Sequence, residues 1–198
     1  MNQIILTIGR QFGSGGREIG KQLASKLEIS YYDKELLGEA ARLSGLCKDY
    51  LEQRDEFSTN SLLYSFIMGT RTLTGQPSLE ELAWKAQRDA VESAAKQGSC
   101  VIVGRCADVI LKDSPHLLRV FLSAPEEQRI AHVSQRDNLT FQEAAAKIRR
   151  MERSRAAYYQ AFTGQKWGQA DNYDICLNVS PFGVEQTVQL ILEIAKSV

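Results

Sequence analysis

The sequence predicts a three-layer α/β fold: a five-stranded parallel sheet with helices on both faces. Three observations predict it. Residues 4–8 (IILTI) form an unbroken aliphatic and β-branched run, the pattern of a strand buried on both faces. Strand-like runs then alternate with helical patterns along the whole chain. Finally, three glycines in four residues, Gly13, Gly15 and Gly16, separate the first strand from the first helix.

The elements follow in order. From Glu18 onward, Ile19, Leu23 and Leu27 with Ala24 make one apolar helical face, and Lys21, Gln22, Ser25 and Lys26 fill the other. A short strand at 30–32 ends at Asp33. The next 65 or so residues, about 34–98, are mostly helical: one helix over 33–46, a loop over 69–77, and a second helix over 76–96. That second helix opens on a capping-box pattern, Ser78 to Glu81. Strands at 99–103 and 117–122 come next, and Pro125 opens a helix that runs to Arg136. Thr140 to Glu143 is another capping box. The helix it starts is apolar at Phe141, Ala144, Ala145, Ile148 and Met151, and carries Lys147, Arg149, Arg150, Arg153 and Arg155 elsewhere on its surface. A strand at 173–178 and a helix marked by Val184, Val188, Ile191 and Ala195 complete the chain.

One domain accounts for all 198 residues. The formal net charge of zero, from 24 basic and 24 acidic residues, argues against bulk nucleic-acid binding. No apolar run approaches the roughly 20 residues that span a bilayer. Cys47, Cys100, Cys106 and Cys176 form no C-x-x-C pair, and the chain runs straight into a strand with no signal peptide, which predicts free thiols and a cytoplasmic location. His116 and His132 lack neighbours at zinc-ligand spacing.

A glycine-rich turn between a buried strand and a helix presents backbone N–H groups and the positive end of the helix dipole to an anion. Phosphate is the expected occupant of residues 13–18, with side-chain help from Ser14 and Arg17; a plain strand-to-helix turn is the competing reading. Neither common phosphate pattern fits. A dinucleotide fingerprint counted from Gly13 puts Glu18 where its last glycine belongs, although Asp33 stands 20 residues on. A Walker pattern ending at Gly15 has Gly16 for its lysine; one ending at Gly16 has Arg17 for the lysine and Glu18 for the hydroxyl residue. Both lack the first glycine. The long helical insert after the second strand favours a nucleotide kinase over a dinucleotide fold.

Residues 9–20 (GRQFGSGGREIG), 31–36 (YYDKEL) and 103–108 (VGRCAD), with the tract from Tyr158-Tyr159 through Lys166-Trp167-Gly168 to Asn172-Tyr173-Asp174, resemble the cytidylate-kinase-like family, relatives of the CMP kinases among P-loop nucleoside monophosphate kinases. The resemblance runs nearly end to end. It implies a P-loop NTPase-like fold with a helical acceptor-binding insert and a lid region at about 140–170, and a phosphotransferase that uses ATP and Mg2+, the metal carried by ATP rather than by protein side chains. It places ATP on Gly13, Ser14, Gly15, Gly16, Arg17 and Glu18, and the acceptor, CMP or dCMP, on Asp33, Lys34, Arg105 and Asp108. Cys106 stands where the family motif has an aspartate, so Asp108 is the candidate to replace it. Arg17, Arg149, Arg150 and Arg153 would stabilise the transferring phosphoryl group; Arg149 and Arg153 are four apart and share a helical face. A solvated charged face is the alternative. The aromatic tract after Tyr158 is read as packing against the lid in preference to stacking on a base. The missing lysine keeps open a nucleotide-binding regulatory protein of the same fold, and a kinase for another small acceptor. The expected partners are small nucleotides, with no nucleic acid and no membrane.

Overall fold

The structure, a computed structural model, describes residues 3–33 and 79–197. The helix expected over 33–46, the loop over 69–77, Ser78 and Lys34 lie outside the described residues beyond position 33. Among those described, five strands alternate with helices: β1 Ile5–Arg10, α1 Gly16–Leu27, β2 Ser30–Tyr32, α2 Leu79–Lys96, β3 Cys100–Val103, α3 Ala107–Ile110, β4 Leu117–Ser123, α4 Glu126–Asp137, α5 Phe141–Thr163, a 3-10 turn Ala170–Asn172, β5 Ile175–Asn178 and α6 Gly183–Ala195. All strand pairs are parallel, in the order β2-β3-β1-β4-β5.

The two-residue period of the strands sorts the core into layers. Leu6, Ile8, Val101, Val103, Val120 and Leu122 point to one face, where α1 (Ile19, Leu23, Ala24) and α6 (Val188, Ile191, Leu192, Ala195) cover them. Ile5, Cys100 and Ile102 point to the other, against Ala86, Ala90, Val91 and Ala94 of α2 and Ala107 of α3. The small side chains on α2 let it lie close to the sheet. Burial pushes the Cys100 thiol up to about 11, so it acts as a core residue. β1 is the central strand and its first four residues are all buried, as a run with no polar alternation requires.

β1 runs two residues beyond the stretch of 4–8 that the sequence suggests. Pairing with β4 continues through Gly9↔Phe121 and Arg10↔Leu122, and a sheet ladder overrides the weak strand preference of glycine and arginine. Arg10 therefore stands at the carboxyl end of the central strand.

α4 and α5 form a separate small cluster, Val133 with Ala144 and Ile148. The capping box at the start of α5 is formed: Thr140 Oγ1 accepts from the Glu143 backbone N–H at 3.3 Å, and Glu143 Oε2 accepts from the Thr140 N–H at 2.8 Å. Phe141, expected on the apolar face, is instead 67% exposed, because contact with α4 begins one turn later at Ala144. The aromatic tract packs, but against α2 and β4 and not against the lid. Phe162 stacks on Trp84 of α2 with centroids 4.5 Å apart, and Phe121 of β4 meets Trp167 edge-on and Tyr173 at a tilt.

Candidate active site

At the carboxyl ends of β1, β2 and β3 lies a cavity of about 740 Å³, closed on its far side by α4 and α5. Ligands of parallel α/β sheets collect at this edge. The protein is neutral overall, yet eight lysine and arginine side chains line this cavity against three carboxylates, Glu18, Asp33 and Asp137. The charge is focused where an anion would sit.

The floor is the turn between β1 and α1. Gly13 and Gly15 take left-handed φ angles of 86° and 81° that an L side chain adopts only with strain. A Cβ on Gly13 would also stand 2.9 Å from a Val133 methyl. Gly15 is the N-cap of α1 and has no side chain to satisfy the first helical N–H groups, so these stay available to a bound anion. Ser14 is turned inward, only 4% exposed, and its hydroxyl donates to the Gln11 carbonyl at 3.0 Å. It shapes the turn and does not line the cavity. α1 begins at Gly16 with Gly15 as its N-cap; counted with Gly15 as the last glycine of the motif, Gly16 takes the lysine position and Arg17 the hydroxyl position.

Two further groups brace the turn from α4. Arg129, 6% exposed, donates from Nε to the Ala124 carbonyl at 2.9 Å, and from Nη1 to the Phe12 carbonyl at 3.2 Å and to Glu152 of α5 at 2.7 Å. His132 Nδ1 lies 2.9 Å from the Gly13 carbonyl, a contact in which the ring nitrogen donates. The Phe12 ring sits under the guanidinium groups of Arg136 and Arg155, 5.2 and 5.3 Å from its centroid.

Asp33, at the end of β2, is buried and holds two arginines: Arg17 Nε lies 2.7 Å from Oδ2, and Arg10 Nη2 lies 3.6 Å from Oδ1. β3 ends in three successive left-handed residues, Gly104, Arg105 and Cys106, with φ of 80°, 63° and 52°. For the two non-glycine residues this conformation is strained, and such strain persists only where surroundings impose it. Here Gln87 of α2 donates to the Arg105 carbonyl at 3.2 Å while accepting from the Tyr158 hydroxyl at 3.0 Å. The result is that the Arg105 side chain faces the cavity.

α5 presents Lys147, Arg150, Met151, Arg155 and Tyr158 to the cavity, the stripe that a 3.6-residue period generates. Arg149 and Arg153 lie on the opposite side, both exposed, with Arg153 Nε donating to the Arg149 carbonyl. Asp137 at the cavity rim is held well below the usual carboxylate range by its hydrogen bonds to Arg136 and Lys147.

Of the residues expected to form the site, the structure brings together Gly13, Gly15, Gly16, Arg17, Glu18, Asp33, Arg105 and Arg150. It leaves Ser14, Asp108, Arg149 and Arg153 outside the lining. Asp108 is buried and accepts a 2.6 Å hydrogen bond from the Tyr159 hydroxyl. Sequence reading missed Arg10, Lys21, His132, Arg136, Lys147 and Arg155 as cavity residues. The basic stripe at 147, 150 and 155 was readable from helical spacing; Arg10 was not, since its role depends on where β1 ends.

A family model described as the cytidylate kinase-like family matches residues 5–181. The chain is 23% identical over 197 residues to the cytidylate kinase of Methanopyrus kandleri, covering 95% of this chain and 91% of that protein. It is 23% identical over 191 residues to the cytidylate kinase of Pyrococcus horikoshii, covering 96% and 87%. Among solved structures, an uncharacterized protein from Eubacterium ventriosum superposes over 100% of both chains with a TM-score of 0.75 and 31% identity. A shikimate kinase from Bacteroides thetaiotaomicron covers 98% of this chain and 99% of its own, with a TM-score of 0.58 and 13% identity, a likeness of fold alone.

Proposed function

This chain belongs to the cytidylate kinase-like family, and from that premise we propose that it transfers the γ-phosphoryl group of ATP to a nucleoside monophosphate, CMP or dCMP. The observation that supports the reading is the cation-rich cavity that joins the glycine turn to Arg105. Phosphoryl transfer requires in-line positioning and charge stabilisation, and no covalent nucleophile. On this reading the amides of 13–18 and Arg17 receive the ATP phosphates. Asp33 and Arg105, with Lys34 outside the described residues, take the acceptor. A guanidinium matches a phosphate bidentately, which suits Arg105 to the acceptor phosphate.

Arg150 faces the path of the transferring group, and Arg149 and Arg153 join it only if α5 turns. Asp108 acts on the acceptor side through Tyr159 and the backbone after β3. Magnesium keeps several waters and takes one or two carboxylates beside the phosphates. The described residues contain no group of three His, Cys, Asp or Glu able to cage a metal. Both Asp33 oxygens face arginines, so the ion would be carried by the ATP phosphates and would offset charge on their oxygens.

The test is a coupled assay of the purified chain with Mg-ATP and a panel of ribo- and deoxyribonucleoside monophosphates. Turnover with a cytidine monophosphate is the expected result. The glycine at 16 and the arginine at 17 favour one second reading, a nucleotide-binding regulatory protein. Thermal stabilisation by ATP with no turnover of any acceptor would select it over the kinase.

A further inference from the structure

Position 16, where a P-loop carries its lysine, is glycine, and the chain has placed another side chain in that space. A Cβ built on Gly16 would stand 2.7 Å from Arg10 Cβ and 2.9 Å from Arg10 Cγ, closer than real Cβ atoms come. Gly16 itself has no left-handed φ and starts an ordinary helix, so its own backbone does not demand glycine. Arg10 demands it. The arginine stem then continues to the end of β3, where a Cβ on Gly104 would overlap Arg10 Nη1. Two glycines on two different elements thus open a trough for one side chain.

We propose that Arg10 supplies the phosphate-binding cation of this site, reaching from the end of β1 across Gly16 in place of the P-loop lysine. The trough directs its guanidinium into the gap between the glycine turn and the strained Gly104-Arg105 corner, which on the phosphotransfer reading lies between donor and acceptor. Its base is fixed: the Arg10 carbonyl accepts from Arg155 Nη1 at 2.9 Å and β1 pairing holds its backbone. Its side chain is 15% exposed, so a charge contact there is weakly screened. The contact with Asp33 at 3.6 Å holds the guanidinium toward the end of β2, on the cavity side. Arg17 is the weaker candidate: its side chain is 52% exposed and its Nε is committed to Asp33 at 2.7 Å. The proposal rests on the phosphotransfer reading for the identity of the phosphate, and predicts a contact to the β and γ phosphates.

Calorimetric titration of the full chain with Mg-ATP and with CMP, beside steady-state assays, decides it. Arg10→Gln should weaken Mg-ATP binding by about tenfold or more and lower kcat of order 10²-fold, with CMP affinity changed far less. The exchange variant, Arg10→Gly with Gly16→Lys, should recover at least tenfold of that loss relative to Arg10→Gly alone, because the new lysine meets no steric obstacle at 16. Gly16→Lys alone should bind Mg-ATP no better than Arg10→Gln. The proposal is overturned if Arg10→Gln binds Mg-ATP like the wild type and loses only CMP affinity, which would make Arg10 a holder of Asp33. It is equally overturned if the exchange variant, folded by circular dichroism, recovers nothing, or if the wild type binds no Mg-ATP. Arg10-dependent Mg-ATP binding with no turnover of any monophosphate would leave the proposal standing and sink the kinase reading instead.

Discussion

Tyr159 of α5 donates a 2.6 Å hydrogen bond to Asp108, two residues past the strained corner at the end of β3. Both groups are buried, and they tie the long helix to the corner that aims Arg105. Burial raises the Asp108 carboxyl above its ordinary value, against the opposing effects of the Tyr159 hydroxyl, two backbone N–H groups and Arg119. Tyr159→Phe, which strips the carboxylate of that donor, should lower stability by about 2 kcal/mol in urea unfolding at pH 7.

The sign of the pH dependence follows from the same shift. A carboxyl whose folded value lies above its unfolded value binds its proton more tightly in the native state. Its contribution is complete below the unfolded value, about 4, and is lost as pH rises through the folded value. The stability of Asp108→Asn relative to the wild type should therefore improve between pH 4 and pH 7. A pH-independent difference would show that Asp108 carries no such shift.

Arg105 holds a left-handed φ of 63° without being glycine. Arg105→Ala and Arg105→Gly remove the same guanidinium, but only the glycine relieves the backbone. The glycine variant should be more stable than the alanine variant by about 1 kcal/mol, read from denaturation midpoints. Both should raise the KM for the monophosphate acceptor by a similar factor. Equal stabilities would mean that the corner is not strained.

Arg150 lines the cavity, whereas Arg149 and Arg153 project from the other side of α5. Arg150→Ala should lower kcat by about 10²-fold, the loss typical of one donor to developing charge. The alanine variants at 149 and 153 should each cost less than a tenth of that. A larger effect at 149 or 153 than at 150 would show that α5 rotates before transfer.

Arg129 joins Phe12, Ala124 and Glu152 through one buried guanidinium. Arg129→Ala leaves those carbonyls and that carboxylate without their donor, and should lower stability by about 3 kcal/mol. Because Phe12 precedes Gly13 in the turn, the KM for ATP should rise in the same variant. Loss of stability with an unchanged KM would separate the brace from the binding surface.

The layers and the alternation of strands with helices were accessible from pattern alone because they depend on local periodicity: residues 4–8, the helical face of Ile19, Leu23 and Ala24, and the capping box at Thr140 were all readable. The strand order β2-β3-β1-β4-β5 depends on pairing between distant segments and was not. The site was half readable. Gly13, Gly15 and Arg105 announce themselves by following strands, and Arg150 by its place among basic residues. Reading i, i+4 pairs without knowing which face α5 buries added Arg149 and Arg153 to Arg150 and left out Lys147 and Arg155. Phe141 was misplaced for the same reason, since the first turn of α5 precedes its contact with α4. Arg129, His132 and Arg10 act through backbone carbonyls and glycine surfaces contributed by other elements, and no spacing rule encodes such contacts.

The packing of Arg10 over Gly16 also constrains how this sequence can drift. A lysine arriving first at 16 collides with the arginine, and a glycine arriving first at 10 removes the cation. Each step toward the ordinary P-loop pattern is harmful until the other has occurred. The two positions therefore form an epistatic pair, and lineages carrying the arginine should retain glycine at 16 and at 104 even where the rest of the turn has diverged.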